Sequence, residues 1–188
     1  MDDLWQQITQ AAVKEFSDVG DAAQATRLVL RLLVAGLLGG LLGIEREQTG
    51  HAAGVRTHML VAMGSALFVL VSQQSGIAAS DMSRVIQGLI AGIGFLGAGT
   101  IIKSQNEEKV KGLTTAAGIW MTAAIGMAAG LGQEVTAVIS TLLALAIFSL
   151  VPWAVRRTLS PNKKIATEAT RGNGLSAPRS APDSNPGP

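Results

Sequence analysis

Residues 44–58 read IEREQTGHAAGVRTH, a charged island between two runs that hold no ionisable side chain, 32–44 before it and 59–80 after it. In water, runs of this kind would need burial on every side. In a bilayer they approach the roughly 20 apolar residues with which a helix crosses about 30 Å of hydrocarbon. The island therefore reads as a cytoplasmic connection between two transmembrane helices. Only 15% of the chain is charged, against about 25% in a soluble domain. The shortfall is gathered in blocks, which favours a membrane class over a merely apolar soluble one.

Five apolar blocks follow one another, at 28–44, 57–71, 85–102, 113–131 and 135–155. They predict an all-α, polytopic membrane protein with five transmembrane helices over 27–156. Arg31 sits near the outer end of the first block, where a long side chain can snorkel. Ahead of the blocks, Leu4, Trp5, Ile8, Ala12, Phe16 and Val19 recur at steps of three and four behind Asp2 and Asp3. That spacing predicts a helix over 2–19. Within segment 1–26 it either lies in the membrane interface as an amphipathic helix or packs on the bundle. Residues 157–188 turn to Ser, Pro, Gly, Asn and Ala, and are expected to form a disordered cytoplasmic tail. Arg156, Arg157, Lys163 and Lys164 follow the last block and suit anionic headgroups.

The basic residues orient the chain. With the N-terminus outside, the inner side collects Arg46, Arg56, Lys103, Lys109, Lys111 and all the basic residues of the tail. The outer side keeps Lys14, Arg27, Arg31 and Arg84. The positive-inside rule then places the C-terminus in the cytoplasm. No basic n-region precedes an apolar stretch at the start, so no signal peptide is expected. The pI near 9.3 could suggest nucleic acid, but the net charge is only +2 and the basic residues flank apolar blocks. Nucleic acid is therefore not an expected partner. There is no cysteine, which removes disulfides and thiolate metal sites.

A shift of 58 residues lays Gly36 on Gly94, Leu38 on Leu96, Gly39 on Gly97 and Ile44 on Ile102. It also lays Gly54 on Gly112, Thr57 on Thr115, Met63 on Met121 and Ala66 on Ala124. Two readings stand: chance matches in a chain rich in Gly, Ala and Leu, or a parallel repeat of two helical hairpins. The repeat predicts that loops 45–56 and 103–112 lie side by side.

Glycines four apart, such as Gly36 and Gly40, Gly88 and Gly92, and Gly126 and Gly130, suit close helix packing in lipid. That packing is within one chain or between copies. Gly92, Gly94 and Gly97 spell GxGxxG, but no strand precedes them and no acid stands near Ala117, so a dinucleotide site is rejected. A locally loosened or closely packed helix is the better expectation there. If loosened, its freed carbonyls and Thr100 could face a polar cavity.

Glu45 and Arg56 bound the island at the membrane surface, where an unpaired charge is costly. The two are read as a clamp fixing the hairpin; in the other reading Glu45 and Glu47 are oxygen ligands of a hydrated cation. Magnesium keeps several waters and needs only one or two carboxylates. Glu107 and Glu108 form a second acidic pair, offset by Lys109 and Lys111 and read as a solvated loop. His51 and His58 have no cysteine beside them and are expected to be exposed loop histidines. No GxSxG, GxxxxGK[ST] or HExxH occurs, so neither an enzyme nor a cofactor is expected.

Over IEREQTGHAAGVRTHMLVAMGSALF, GLIAGIGFLGAGTII and VKGLTTAAGIWMTAAIGMAAG the chain resembles the MgtC/SapB family of bacterial inner-membrane proteins. The likeness runs over roughly 28–155 with the three stretches in the family's order. It implies a multi-pass inner-membrane protein tied to magnesium limitation, and in some members to growth inside host cells. It implies either a non-enzymatic regulator of other membrane proteins or a transporter of magnesium or another cation, with Mg2+ as ligand or signal. Longer members carry a soluble C-terminal domain, where this chain has only the tail. The family motifs fall on Glu45, Arg46 and Glu47, on Gly54, Arg56 and Thr57, on Gly94, Gly97, Gly99 and Thr100, and on Gly112, Thr114 and Thr115. Expected partners are the lipid bilayer, a second copy, or another membrane complex.

Overall fold

A computed structural model describes residues 2–15, 21–103 and 110–158. The described residues form helices and one short strand pair. The elements are α1 (Asp2–Glu15), α2 (Ala22–Gln48), α3 (Val55–Gln74), α4 (Ala79–Ala98), β1 (Ile102–Lys103), β2 (Val110–Lys111), α5 (Leu113–Gly130) and α6 (Glu134–Thr158). The described residues fall into two units, divided between Ile147 and Phe148.

Local chemistry sets the helix ends. Asp21 accepts from the Gln24 N–H at 2.6 Å and caps α2. Residues 22–26 thus open α2 rather than belonging to the N-terminal helix. The expected helix over 2–19 is observed as α1; residues 16–20 lie outside the described residues. α2 runs four residues past the first apolar block, so Glu45, Arg46 and Glu47 sit on its last turn. Gly112, directly ahead of α5, takes φ +95 and lies against the Thr100 carbonyl, so only glycine fits there.

In the first unit, α3 and α5 form the centre, backbone against backbone. A Cβ on Gly130 would come within 2.7 Å of the Ala66 oxygen, and one on Gly126 would overlap the Ala62 carbonyl. α2 covers this pair, with Gly39 against His58 and Ala62 and Gly43 against Val55. α4 packs on α5 and more lightly on α3, and Gly97 is its one buried residue. Ala53, Val61, Ile119 and Ala123 form a buried apolar cluster, with Ile93 packed on it. Ala137, Thr141 and Ala144 make a buried stripe on α6. In the second unit the end of α6 contains Pro152, and the Arg157 guanidinium stacks 4.0 Å from the Trp153 ring centroid. Residues 159–188, with most of the expected tail, lie outside the described residues.

Among the described residues four helical segments are long and apolar enough to cross a membrane: Ala22–Gln48, Val55–Gln74, Leu113–Gly130 and Glu134–Val155. Together they mark a helical membrane protein. α4 is 20 residues long but is not among the four; its first turns hold Asp81 and Arg84.

The third apolar block needs correction at both ends. The helix begins at Ala79 and stops at Ala98, short of the expected 102. The Thr100 hydroxyl donates to Gly97 O at 2.7 Å, and Ile102 and Lys103 pair antiparallel with Lys111 and Val110. No loosening is seen at Gly94, where α4 is unbroken and nothing lies within 4 Å of the missing Cβ.

Candidate functional site

The motif residues of the island gather where α2 ends and α3 begins. Arg46 is only 3% exposed, and its guanidinium is held by the Glu45 carboxylate. Its Nη1 lies 3.4 Å from His51 Nε2, while His51 Nδ1 lies 2.9 Å from Thr49 Oγ1. The Thr49 hydroxyl donates back to Glu45 O at 2.9 Å. The charge of Arg46 is thus enclosed by its own turn and by the loop that follows. Removing one partner of such a pair leaves a buried charge uncompensated.

Glu47 acts on the other side of the loop. Gly54 precedes α3 and offers no side chain to cap it. The Glu47 carboxylate reaches across and accepts from the Val55 N–H at 2.9 Å. A carboxylate at a helix N-terminus also meets the positive end of the helix dipole. One turn into α3, His58 is fully buried, and its Nδ1–H donates to Gly54 O at 3.0 Å. His58 Nε2 and Ser65 Oγ are buried without a hydrogen-bond partner among the described residues.

The expected Glu45–Arg56 clamp is not formed. Glu45 turns to Arg46 instead, and Arg56 is exposed at the start of α3. His58 is likewise a core residue rather than an exposed loop histidine; His51 is half-buried. Glu45 and Glu47, offered as cation ligands, are committed to a guanidinium and to a backbone N–H. Among the described residues no group of three or more His, Asp or Glu could hold a metal ion. Glu107 and Glu108 lie outside the described residues. Elsewhere, Gly112 meets Thr100, Thr115 is buried and Thr114 exposed. Gly97 faces Ala116 with ordinary contact, nothing lies within 4 Å of the missing Cβ of Gly94, and Thr57 is half-buried.

A second polar node stands at the opposite end of α2. Arg31 Nη1 donates to Gly130 O at 3.0 Å and to Gln73 Oε1 at 3.2 Å. Its Nε lies 3.8 Å from Glu134 Oε1. One side chain thus joins α2 to the last turns of α3 and α5 and to the start of α6. A cation there also suits the negative C-terminal end of α5. The sequence signal was slight: an arginine inside an apolar block, with Gln73 and Glu134 at the facing helix ends.

The MgtC family model matches residues 32–157. Protein SrpB of Synechococcus elongatus is 46% identical over 133 residues, which cover 65% of this chain and 73% of its own. YhiD of Escherichia coli, whose name is that of a candidate magnesium transporter, is 37% identical over 157 residues, covering 79% of this chain and 71% of its own. Protein MgtC of Salmonella typhimurium is 41% identical over 129 residues, covering 69% of this chain and 54% of its own. No solved structure gives a significant match.

Proposed function

The chain belongs to the MgtC family, and from that premise we propose a non-enzymatic protein of the bacterial inner membrane that serves magnesium homeostasis through contacts with other membrane proteins. α4 is read as a fifth crossing beside the four strongly apolar segments, with the N-terminus outside and the C-terminus cytoplasmic. Loop 49–54 and the strands β1 and β2 then face the cytoplasm.

The two hairpins, α2–α3 and α4–α5, are read as a parallel repeat. In support, Gly54 and Gly112 stand directly before α3 and α5. The Gly39–His58 contact also recurs, at the same shift of 58, as Gly97–Ala116.

The observation that carries the regulator reading is the closed centre. α3 and α5 meet through backbone at Gly126 and Gly130. The buried Thr122 hydroxyl returns to Gly118 O of its own helix at 2.9 Å, rather than lining a path. A carrier needs polar groups facing a cavity at membrane depth. The alternative, a carrier for magnesium or another cation, draws its support from the name of YhiD.

The two are separated by reconstituting the full chain in liposomes under a magnesium gradient, alongside isolation from native membranes. We expect no flux above empty liposomes and a co-isolating membrane protein. Gradient-driven flux, lost when the protein is omitted, would replace the regulator by the carrier.

A further inference from the structure

Between the Arg31 ends of α2 and α3 lies an open cleft of about 220 Å³. Gln24, Arg27 and Arg31 line it from α2, and Gln73 and Gln74 from α3. Leu28 and Leu70 complete the lining. Two guanidinium groups and three amides face one small space, and no carboxylate is among its lining residues. Glu134 approaches only Arg31, and Arg27 is exposed and in none of the ion pairs found among the described residues. The cleft is therefore a concentration of positive charge and N–H donors, which is the chemistry that recognises a phosphate oxygen.

Hairpin packing does not by itself require this polarity. At the shift of 58 residues, Arg27 and Arg31 correspond to Val85 and Leu89, and Gln73 and Gln74 to Leu131 and Gly132. The neighbouring hairpin is built with apolar or small residues at those positions.

Depth and surroundings identify the source of the phosphate. α2 has 27 residues, about 40 Å at 1.5 Å per residue, and so outlasts about 30 Å of hydrocarbon. Its first turns, which carry Gln24 and Arg27, therefore reach the headgroup layer if α2 crosses the bilayer, as the proposed function holds. Leu67, one turn before Leu70 on the same face of α3, is exposed, so an acyl chain would run beside it.

We propose that this cleft binds the phosphodiester headgroup of an anionic phospholipid, with Arg27 and the glutamine amides donating to the phosphate oxygens. Arg31 adds its charge to the site while its Nη1 holds Gly130 O and Gln73 Oε1.

The test uses the full-length chain in phosphatidylcholine vesicles doped with phosphatidylglycerol, with lipid retained through extraction counted by native mass spectrometry. Arg27→Gln is the probing variant, and Arg84→Gln, an exposed arginine of α4, is the control. Both side chains are exposed, so both variants should fold, and thermal unfolding checks that they do. Losing one charge-assisted hydrogen bond should weaken phosphatidylglycerol retention about tenfold in Arg27→Gln. Arg84→Gln should match the parent, and glycerol phosphate should not compete. Equal retention in all three proteins would overturn the assignment and point to the basic tail. Competition by glycerol phosphate would overturn the lipid source in favour of a soluble phosphate. Failure of every variant to enter vesicles would overturn the membrane reading, and this one with it.

Discussion

Gly126 of α5 approaches Ala62 of α3 so closely that a Cβ on the glycine would overlap the Ala62 carbonyl. One turn on, Gly130 meets Ala66 in the same way. Lipid tails are as apolar as leucine, so helices in a bilayer gain little by hiding apolar surface from them. Association then rests on van der Waals contact, which a pair of glycines extends down to the backbone. The spacing of the two central helices is set at these two positions.

Gly126→Ala should therefore be costly. The atoms it would strike are backbone and cannot swing aside, so the loss should reach or exceed the roughly 1–3 kcal/mol typical of overpacking. Gly64→Ala is the control, since nothing lies within 4 Å of its missing Cβ. It should be neutral or gain up to about 1 kcal/mol from helix propensity. Thermal unfolding in detergent, followed by tryptophan fluorescence, reads both. Equal midpoints would mean that α3 and α5 are not in backbone contact.

Arg46 and Arg56 lie in one family motif region but should answer differently to alanine. Arg46 is buried against Glu45, and its removal leaves a carboxylate without its partner. The expected cost is about 3–5 kcal/mol, seen as loss of protein from the membrane fraction. Arg56 is exposed, and Arg56→Ala should stay within about 0.5 kcal/mol of the parent. Immunoblots of membranes at matched expression compare the two. A magnesium-limitation phenotype in Arg56→Ala at full abundance would mark Arg56 as a contact residue.

Glu47 supplies the cap that Gly54 cannot. Glu47→Ala should cost about 1 kcal/mol, within the range for lost N-caps. Glu47→Gln should cost less, because the amide oxygen still accepts from Val55 while the charge at the helix end is lost. Hydrogen exchange at the Val55 amide reads the cap directly. Unchanged protection in Glu47→Ala would show that the 2.9 Å bond is not what holds this end.

Composition and block length were enough to foresee helices at α2, α3, α5 and α6, because hydropathy reports burial in lipid directly. Helix ends were harder to read. α4 stops at Ala98 although apolar residues continue to Ile102, and what stops it is a local bond from Thr100 to Gly97. Glu45 was expected to reach Arg56 across the hairpin, since both bound the island at the membrane surface, where an unpaired charge is costly. It found Arg46 because that guanidinium is buried at the helix end and needed a charge. Arg31 could be placed at a membrane edge from sequence, but its main acceptor is the carbonyl of Gly130, and backbone acceptors leave no mark in a side-chain pattern. His58 looked like part of the loop because the charged island hides where α3 begins.

Gly39 and Gly97 occupy matching positions, yet they should not tolerate alanine equally. A Cβ on Gly39 would stand 2.6 Å from His58 O and 2.8 Å from the Ala62 Cβ. One on Gly97 would meet the Ala116 Cβ at 3.5 Å, an ordinary contact. Gly39→Ala should therefore lose about 1–3 kcal/mol to overpacking, whereas Gly97→Ala should hold the parent midpoint or rise slightly through helix propensity. The difference follows from how tightly each hairpin closes: α2 lies on the backbone of α3, while α4 rests on α5 through side chains. Detergent unfolding of the two single variants and the double variant settles it. Similar losses in both would mean that α4 packs on α5 as closely as α2 does on α3, and that the looser fit at Gly97 is wrong.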